Sequence, residues 1–148
     1  MSEMKEMKAE PGVALWNPDA ATKWSLLFTP AFGAYLHALN WRAMGERKRA
    51  RASMNWFYVG LSVLAFNLSL GFFVSNDSVA RLAALVYILS WYFSSARVQA
   101  KHVKQRYGVS YTRRSWGKPL LIAMGGVAGF FALAVLAGFA LAILIASS

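Results

Sequence analysis

The sequence predicts an all-α, polytopic membrane protein, a bundle of four transmembrane helices. Three observations carry that expectation. Long runs lack any charged residue, Lys and Arg crowd between those runs, and tryptophans stand at the run ends. Of the 148 residues, 57% are hydrophobic and 15% charged, against roughly 25% charged in an average soluble chain. The net charge is still +10, because 16 Lys and Arg face 6 Asp and Glu. A chain both apolar and basic fits a membrane protein whose charges are confined to its loops.

Residues 1–17 read as a polar tail, and 18–148 as one transmembrane helical domain. The first twelve residues mix both charge signs and the first apolar run starts late, so no cleavable signal peptide is expected. The first span covers about 24–44. Asn17 suits an N-cap, Pro18 the first helical position, Asp19 the positive helix end, and Gly45 a stop. Pro30 removes a backbone donor and predicts a kink near Leu26 to Pro30. The alternative is a re-entrant or interfacial hairpin bent at TPAFG, which leaves three spans. Residues 1–23 hold three Lys against four acids. A slightly acidic tail crosses more easily, which favours a kinked full span with the N-terminus outside.

The second span covers about 56–74, with Asn67 near its middle, and the third about 79–96 after the turn SNDS. The fourth lies within 120–146 of an uncharged C-terminal run. Each approaches the ~20 apolar residues that cross a bilayer core. Trp16, Trp24, Trp41, Trp56, Trp91 and Trp116 all lie near span ends, as an aromatic belt requires. Twelve of the sixteen cations fall in 42–55 and 97–118, so the basic loops 45–55 and 97–118 are expected on the cytoplasmic side.

Catalytic chemistry has little to stand on. Cys is absent, and all six acids lie outside the apolar segments with none paired for general acid–base work. No Gly-rich phosphate loop or G-x-S-x-G motif is present, and His37 and His102 stand too far from other ligands to suggest a metal. The expectation is a non-enzyme without cofactor. His37 and Asn40 lie one helical turn apart near the basic end, where they suit a polar cluster bonding a neighbouring helix or headgroup; Asn67 needs a partner in the bundle or across a dimer.

Two further patterns concern contacts. Gly125 and Gly129 form G-x-x-x-G, and further along Ala134, Gly138 and Ala142 recur every four residues. Such a stripe suits close helix packing, within the chain or against a second copy or another membrane protein. Arg97, Lys101 and Lys104 fall at i, i+4 and i+7, which predicts a cationic stripe continuing the third helix until Gly108. With Arg113, Arg114 and Lys118 beside Tyr111 and Trp116, these cations suit anionic headgroups. No nucleic-acid-binding motif accompanies them.

The stretches WSLLFTPAFGAYLHALNWRAMGE and YTRRSWGKPLL resemble segments of small bacterial inner-membrane proteins of unassigned function, through W-S-x-x-F-x-P-x-F-G-A, N-W and R-R-x-W-x-K-P. The resemblance runs from Trp16 onward and implies a multi-pass protein of the bacterial cytoplasmic membrane. It carries no activity. The expected function is therefore non-catalytic intramembrane contact with a partner, for example as an immunity protein against a membrane-targeting toxin. The alternative is a small oligomeric channel or transporter lined by Asn67, His37 and hydroxyl residues.

Overall fold

The computed structural model describes residues 12–73, 78–109 and 111–147, with side chains omitted at 72 and 73. Most of the expected tail and most of the SNDS turn lie outside these residues. The described chain is nearly all helical. The order is β1 (Ala14–Leu15), α1 (Pro18–Leu27), α2 (Pro30–Ala43), α3 (Arg47–Phe73) and α4 (Ser78–Trp91), then a π-turn at Tyr92–Ala96, α5 (Arg97–Tyr107), β2 (Thr112–Arg113) and α6 (Gly117–Ala146).

The N-terminal segment differs most from expectation. Residues 24–44 do not form one kinked helix. Asn17 caps α1 as predicted, its Oδ1 accepting from the Asp19 and Ala20 amides at 3.0 and 3.4 Å. Then α1 stops, and Thr29 turns extended, with φ −174° and ψ 154°. A residue before proline is biased to that region. Thr29 Oγ1 then caps α2 by accepting from the Phe32 amide at 3.3 Å. Pro30 thus occupies the first position of a new helix, where its missing donor leaves nothing unsatisfied. The two helices fold back on each other. Ten residues give α1 a length of ~15 Å and fourteen give α2 ~21 Å, each short of a ~30 Å hydrocarbon core.

The hairpin packs against α3 and against the long helix formed by α4, the π-turn and α5. Two glycines make this close fit possible. A Cβ on Gly33 would overlap Ser25 Oγ of α1 and sit 2.9 Å from the Trp91 ring. On Gly60 it would overlap the Tyr87 hydroxyl and lie 2.8 Å from Ala31 Cβ. The hairpin tip therefore lies beside Gly60, thirteen residues or ~20 Å along α3.

The π-turn sets which residues of the long helix face the hairpin. An α-helix rotates about 100° per residue, so Val103 would lie about 120° from Trp91 in an unbroken helix. One extra residue taken up in a wider turn removes most of that difference. Tyr87, Trp91, Gln99, Val103 and Tyr107 consequently share one buried face. Arg97, Lys101 and Lys104 are all exposed, and Gly108 ends the helix at φ +59°.

Of the two segments expected as basic loops, 45–55 is helical from Arg47 onward, while 97–118 carries the expected continuation of the preceding helix, which runs to Tyr107. Their cationic ends meet at one end of the molecule. There Leu15, Trp41, Met44, Ala50, Val103 and Tyr107 form one core cluster. β1 joins that end through parallel pairing, Ala14 with Thr112 and Leu15 with Arg113. Trp41 and Trp91 are 2% and 1% exposed, so these two are core residues and not part of a lipid-facing belt.

Among the described residues, two helices are long and apolar enough to cross a membrane: Ser78–Tyr107 and Gly117–Ala146. α6 stands apart. Pro119 and Ala123 near its base are buried, and no residue of its most apolar window is. A Cβ at Gly125 or Gly129 would meet nothing within 4 Å. Close packing within the chain runs through Gly33 and Gly60, and the Gly125–Gly129 part of the small-residue stripe is left open.

Gly33→Ala and Gly60→Ala should each cost ~1–3 kcal/mol, because the added methyl must displace side chains in a filled contact. Gly129→Ala should stay within ~0.5 kcal/mol of wild type. Thermal unfolding in detergent checks both. A Gly33→Ala variant that melts like wild type would mean that α1 and α2 do not approach this closely.

Candidate functional site

A polar knot lies where the hairpin meets α5. It joins His37 and Asn40 of α2 to Gln99 of α5, and Ser25 of α1 is buried farther along the hairpin, against Gly33. All four are at most 1% exposed. A chain this apolar can bury amides only if their donors and acceptors are paired.

Asn40 does most of the pairing. Its Oδ1 accepts from the Trp16 amide at 3.0 Å, and its Nδ2 donates to the Trp16 carbonyl at 2.8 Å. The side-chain amide thus clamps both backbone groups of one residue lying 24 positions earlier. Asn40 Nδ2 also donates to Gln99 Oε1 at 3.2 Å. Gln99 Nε2 in turn donates to the His37 carbonyl at 2.8 Å. Ser25 bonds within its own helix, to the Ala21 carbonyl at 2.6 Å. Farther along, Ser53 and Ser95 pair through their hydroxyls at 3.3 Å.

Trp16 carries the clamp outward. Its indole Nε1 donates to the Ser115 carbonyl at 3.0 Å, and the Arg114 guanidinium lies 4.7 Å from its ring centroid. The Arg114 amide donates to the Leu15 carbonyl at 2.9 Å. Arg114 therefore helps close the basic end. Nearby, Arg49 lies 4.9 Å from the Trp41 ring and contacts His102 Nδ1 at 3.0 Å. Arginine can only donate, so Nδ1 accepts.

His37 is the exception in the knot. Neither buried ring nitrogen makes a well-formed hydrogen bond, although the Pro18 carbonyl lies close to the ring, which sits 5.7 Å from that of Trp91, whose Nε1 is unpartnered. No carboxylate belongs to the knot. A buried imidazole in such surroundings is favoured in its neutral form. Among the described residues no group of three or more His, Cys, Asp or Glu could hold a metal ion.

The other residues singled out by sequence lie elsewhere. Asn67 is half-buried on α3, and its Oδ1 has no partner among the described residues. On α6, Gly125, Gly129 and Ala142 are exposed, whereas Ala134 and Gly138 are half-buried. Arg97, Lys101, Lys104, Arg113, Arg114 and Lys118 are all exposed at the basic end. Sequence reasoning missed Gln99 and Trp16 as members of the knot. Gln99, Val103 and Tyr107 recur at intervals of four, a readable buried face, but the cationic stripe on the opposite side drew the reading.

No protein-family model, curated protein or solved structure matches the chain.

Asn40→Leu removes an acceptor and two donations at once and strands the Trp16 amide and carbonyl. It should cost about 2–3 kcal/mol and expose residues 13–16 to protease. Gln99→Leu should cost about 1 kcal/mol, since Asn40 keeps its bonds to Trp16. Thermal unfolding with limited proteolysis measures both; an Asn40→Leu variant as stable and resistant as wild type would show that the clamp does not hold the hairpin.

Proposed function

We propose that this is a multi-pass protein of the bacterial cytoplasmic membrane that acts without catalysis, through contact of α6 with a partner membrane protein. The observation that carries the reading is that α6 has thirty residues and packs little against the rest of the chain beyond its base. At ~1.5 Å per residue it is ~45 Å long, enough to cross the bilayer core with tilt. A helix that adds so little to its own fold keeps its small-residue positions free for another helix. An immunity protein that sequesters a membrane-targeting toxin is one form of this reading.

In the proposed arrangement α3, α4 and α6 cross the membrane, and the α1–α2 hairpin enters from the cytoplasmic side and returns. Ala52 to Phe73 of α3 carries no charge. Leu26 and Leu27 at the hairpin tip are 70% and 71% exposed, which suits hydrocarbon at partial depth. The clustering of cations, β1 and β2 at one end supports a cytoplasmic N-terminal segment. This arrangement replaces the outside N-terminus expected from the tail charge.

The channel or transporter alternative draws less support, because His37 and Asn40 are enclosed in a packed knot rather than lining a path. A photo-crosslinking residue at Phe131, Val135 or Phe139 should capture a protein in intact membranes. One at the buried Ala34 should not, and Gly129→Leu should weaken the capture. Ion or substrate flux by the purified protein in proteoliposomes, lost in a stable Asn67→Leu variant, would overturn this reading.

A further inference from the structure

The residues first expected to meet headgroups sit on α5 and the segment after it. A second basic feature lies on the other side of α2. It is a shallow groove of about 620 Å³ between the end of α2 and the first half of α3. Arg42 contributes from the last turn of α2, and Lys48, Arg51, Asn55 and Tyr58 from α3. The α3 residues stand at i, i+3, i+7 and i+10, one continuous face of the helix. Ten residues of rise give the stripe a length of ~15 Å.

Its chemistry changes along that length. Three cations lie at the charged end, and none has a carboxylate partner among the described residues. The Asn55 amide follows, then the Tyr58 phenol, which is 59% exposed. Beside Tyr58 the surface turns apolar, with Val59 and Leu61 each 45% exposed. The order of cation, amide, phenol and hydrocarbon matches the order of phosphate, glycerol ester and acyl chain in a phospholipid. Free phosphate would use only the first part, and nucleic acid would need the cations to continue where the face becomes apolar.

We propose that this groove binds one anionic phospholipid: Arg42, Lys48 and Arg51 hold the phosphate, Asn55 and Tyr58 donate to the glycerol ester oxygens, and the acyl chains lie along α3. The inference rests on the membrane reading above. It makes the start of α3 a defined lipid site, beyond a general attraction of basic segments to the bilayer.

The test uses the full chain in nanodiscs of equal phosphatidylglycerol and phosphatidylcholine, with lipids retained on release counted by native mass spectrometry. The wild type should keep one phosphatidylglycerol in preference to phosphatidylcholine. Each cation near the surface is worth about fivefold, so Arg42→Gln/Lys48→Gln/Arg51→Gln should cut that preference at least tenfold. Lys101→Gln/Lys104→Gln should leave it within about twofold. Arg42→Lys/Arg51→Lys should retain most of it, which guards against loss through misfolding. Equal loss in the Lys101/Lys104 variant would overturn the site, since any basic surface would then serve. Displacement of the lipid by inorganic phosphate alone would also overturn it, by reassigning the groove to a free anion. Extraction of the chain from membranes by alkaline carbonate would defeat the membrane reading itself; an integral chain without lipid preference would defeat this proposal alone.

Discussion

The Asn40 side chain holds both backbone groups of Trp16, and most of the N-terminal half depends on that clamp. Trp16 precedes α1, while Asn40 stands in the last turns of α2. Holding them together closes the hairpin at its open end, opposite the Thr29–Pro30 turn. Through Gln99 the same amide ties the hairpin to α5, and through Trp16 it reaches Ser115, in the segment that follows β2 and leads into α6. Each bond is modest alone, roughly 1 kcal/mol net. Their weight comes from burial, because a stranded backbone group in so apolar a setting has no water to turn to.

Two steric features make the clamp reachable. Gly33 lets α1 and Trp91 approach α2, and Gly60 lets Ala31 and Tyr87 meet at α3. The π-turn then rotates α5 so that Gln99 faces inward together with Trp91. Without that extra residue Gln99 would be turned about 80° from Trp91, and Asn40 would lose its bond to Gln99 while keeping those to Trp16. The wide turn is thus part of the polar knot, although it supplies only Ser95 and Ala96 to the buried face.

The sequence showed the helical class, the cap at Asn17, the helix ends at Gly45 and Gly108, and the cationic stripe on α5. These follow from local chemistry. Thr29–Pro30 was ambiguous, since the same dipeptide kinks a long helix or starts a new one; the choice turns on whether Gly33 has a neighbour to receive. Trp41 and Trp91 occur where belt tryptophans occur, and only packing shows them as core. The small-residue stripe on α6 named a helix able to pack closely without naming its neighbour. Nothing in YFSSA announces a π-turn. In the knot, His37 and Asn40 stood out as polar residues in an uncharged run, whereas Gln99 was hidden within a basic, plainly hydrophilic segment.

Residues 18–43 fold back on themselves, with Asn40 bonded to Trp16 across the open end. The chain has no native cysteine, so a pair of spin labels at positions 19 and 43 reports on this segment cleanly. A continuous helix would separate those positions by ~36 Å. The clamped hairpin brings them to the same end of the molecule, and electron–electron dipolar spectroscopy in lipid should give a distance far below that value. A narrow distribution near ~36 Å would instead show one continuous helix and rule out the hairpin.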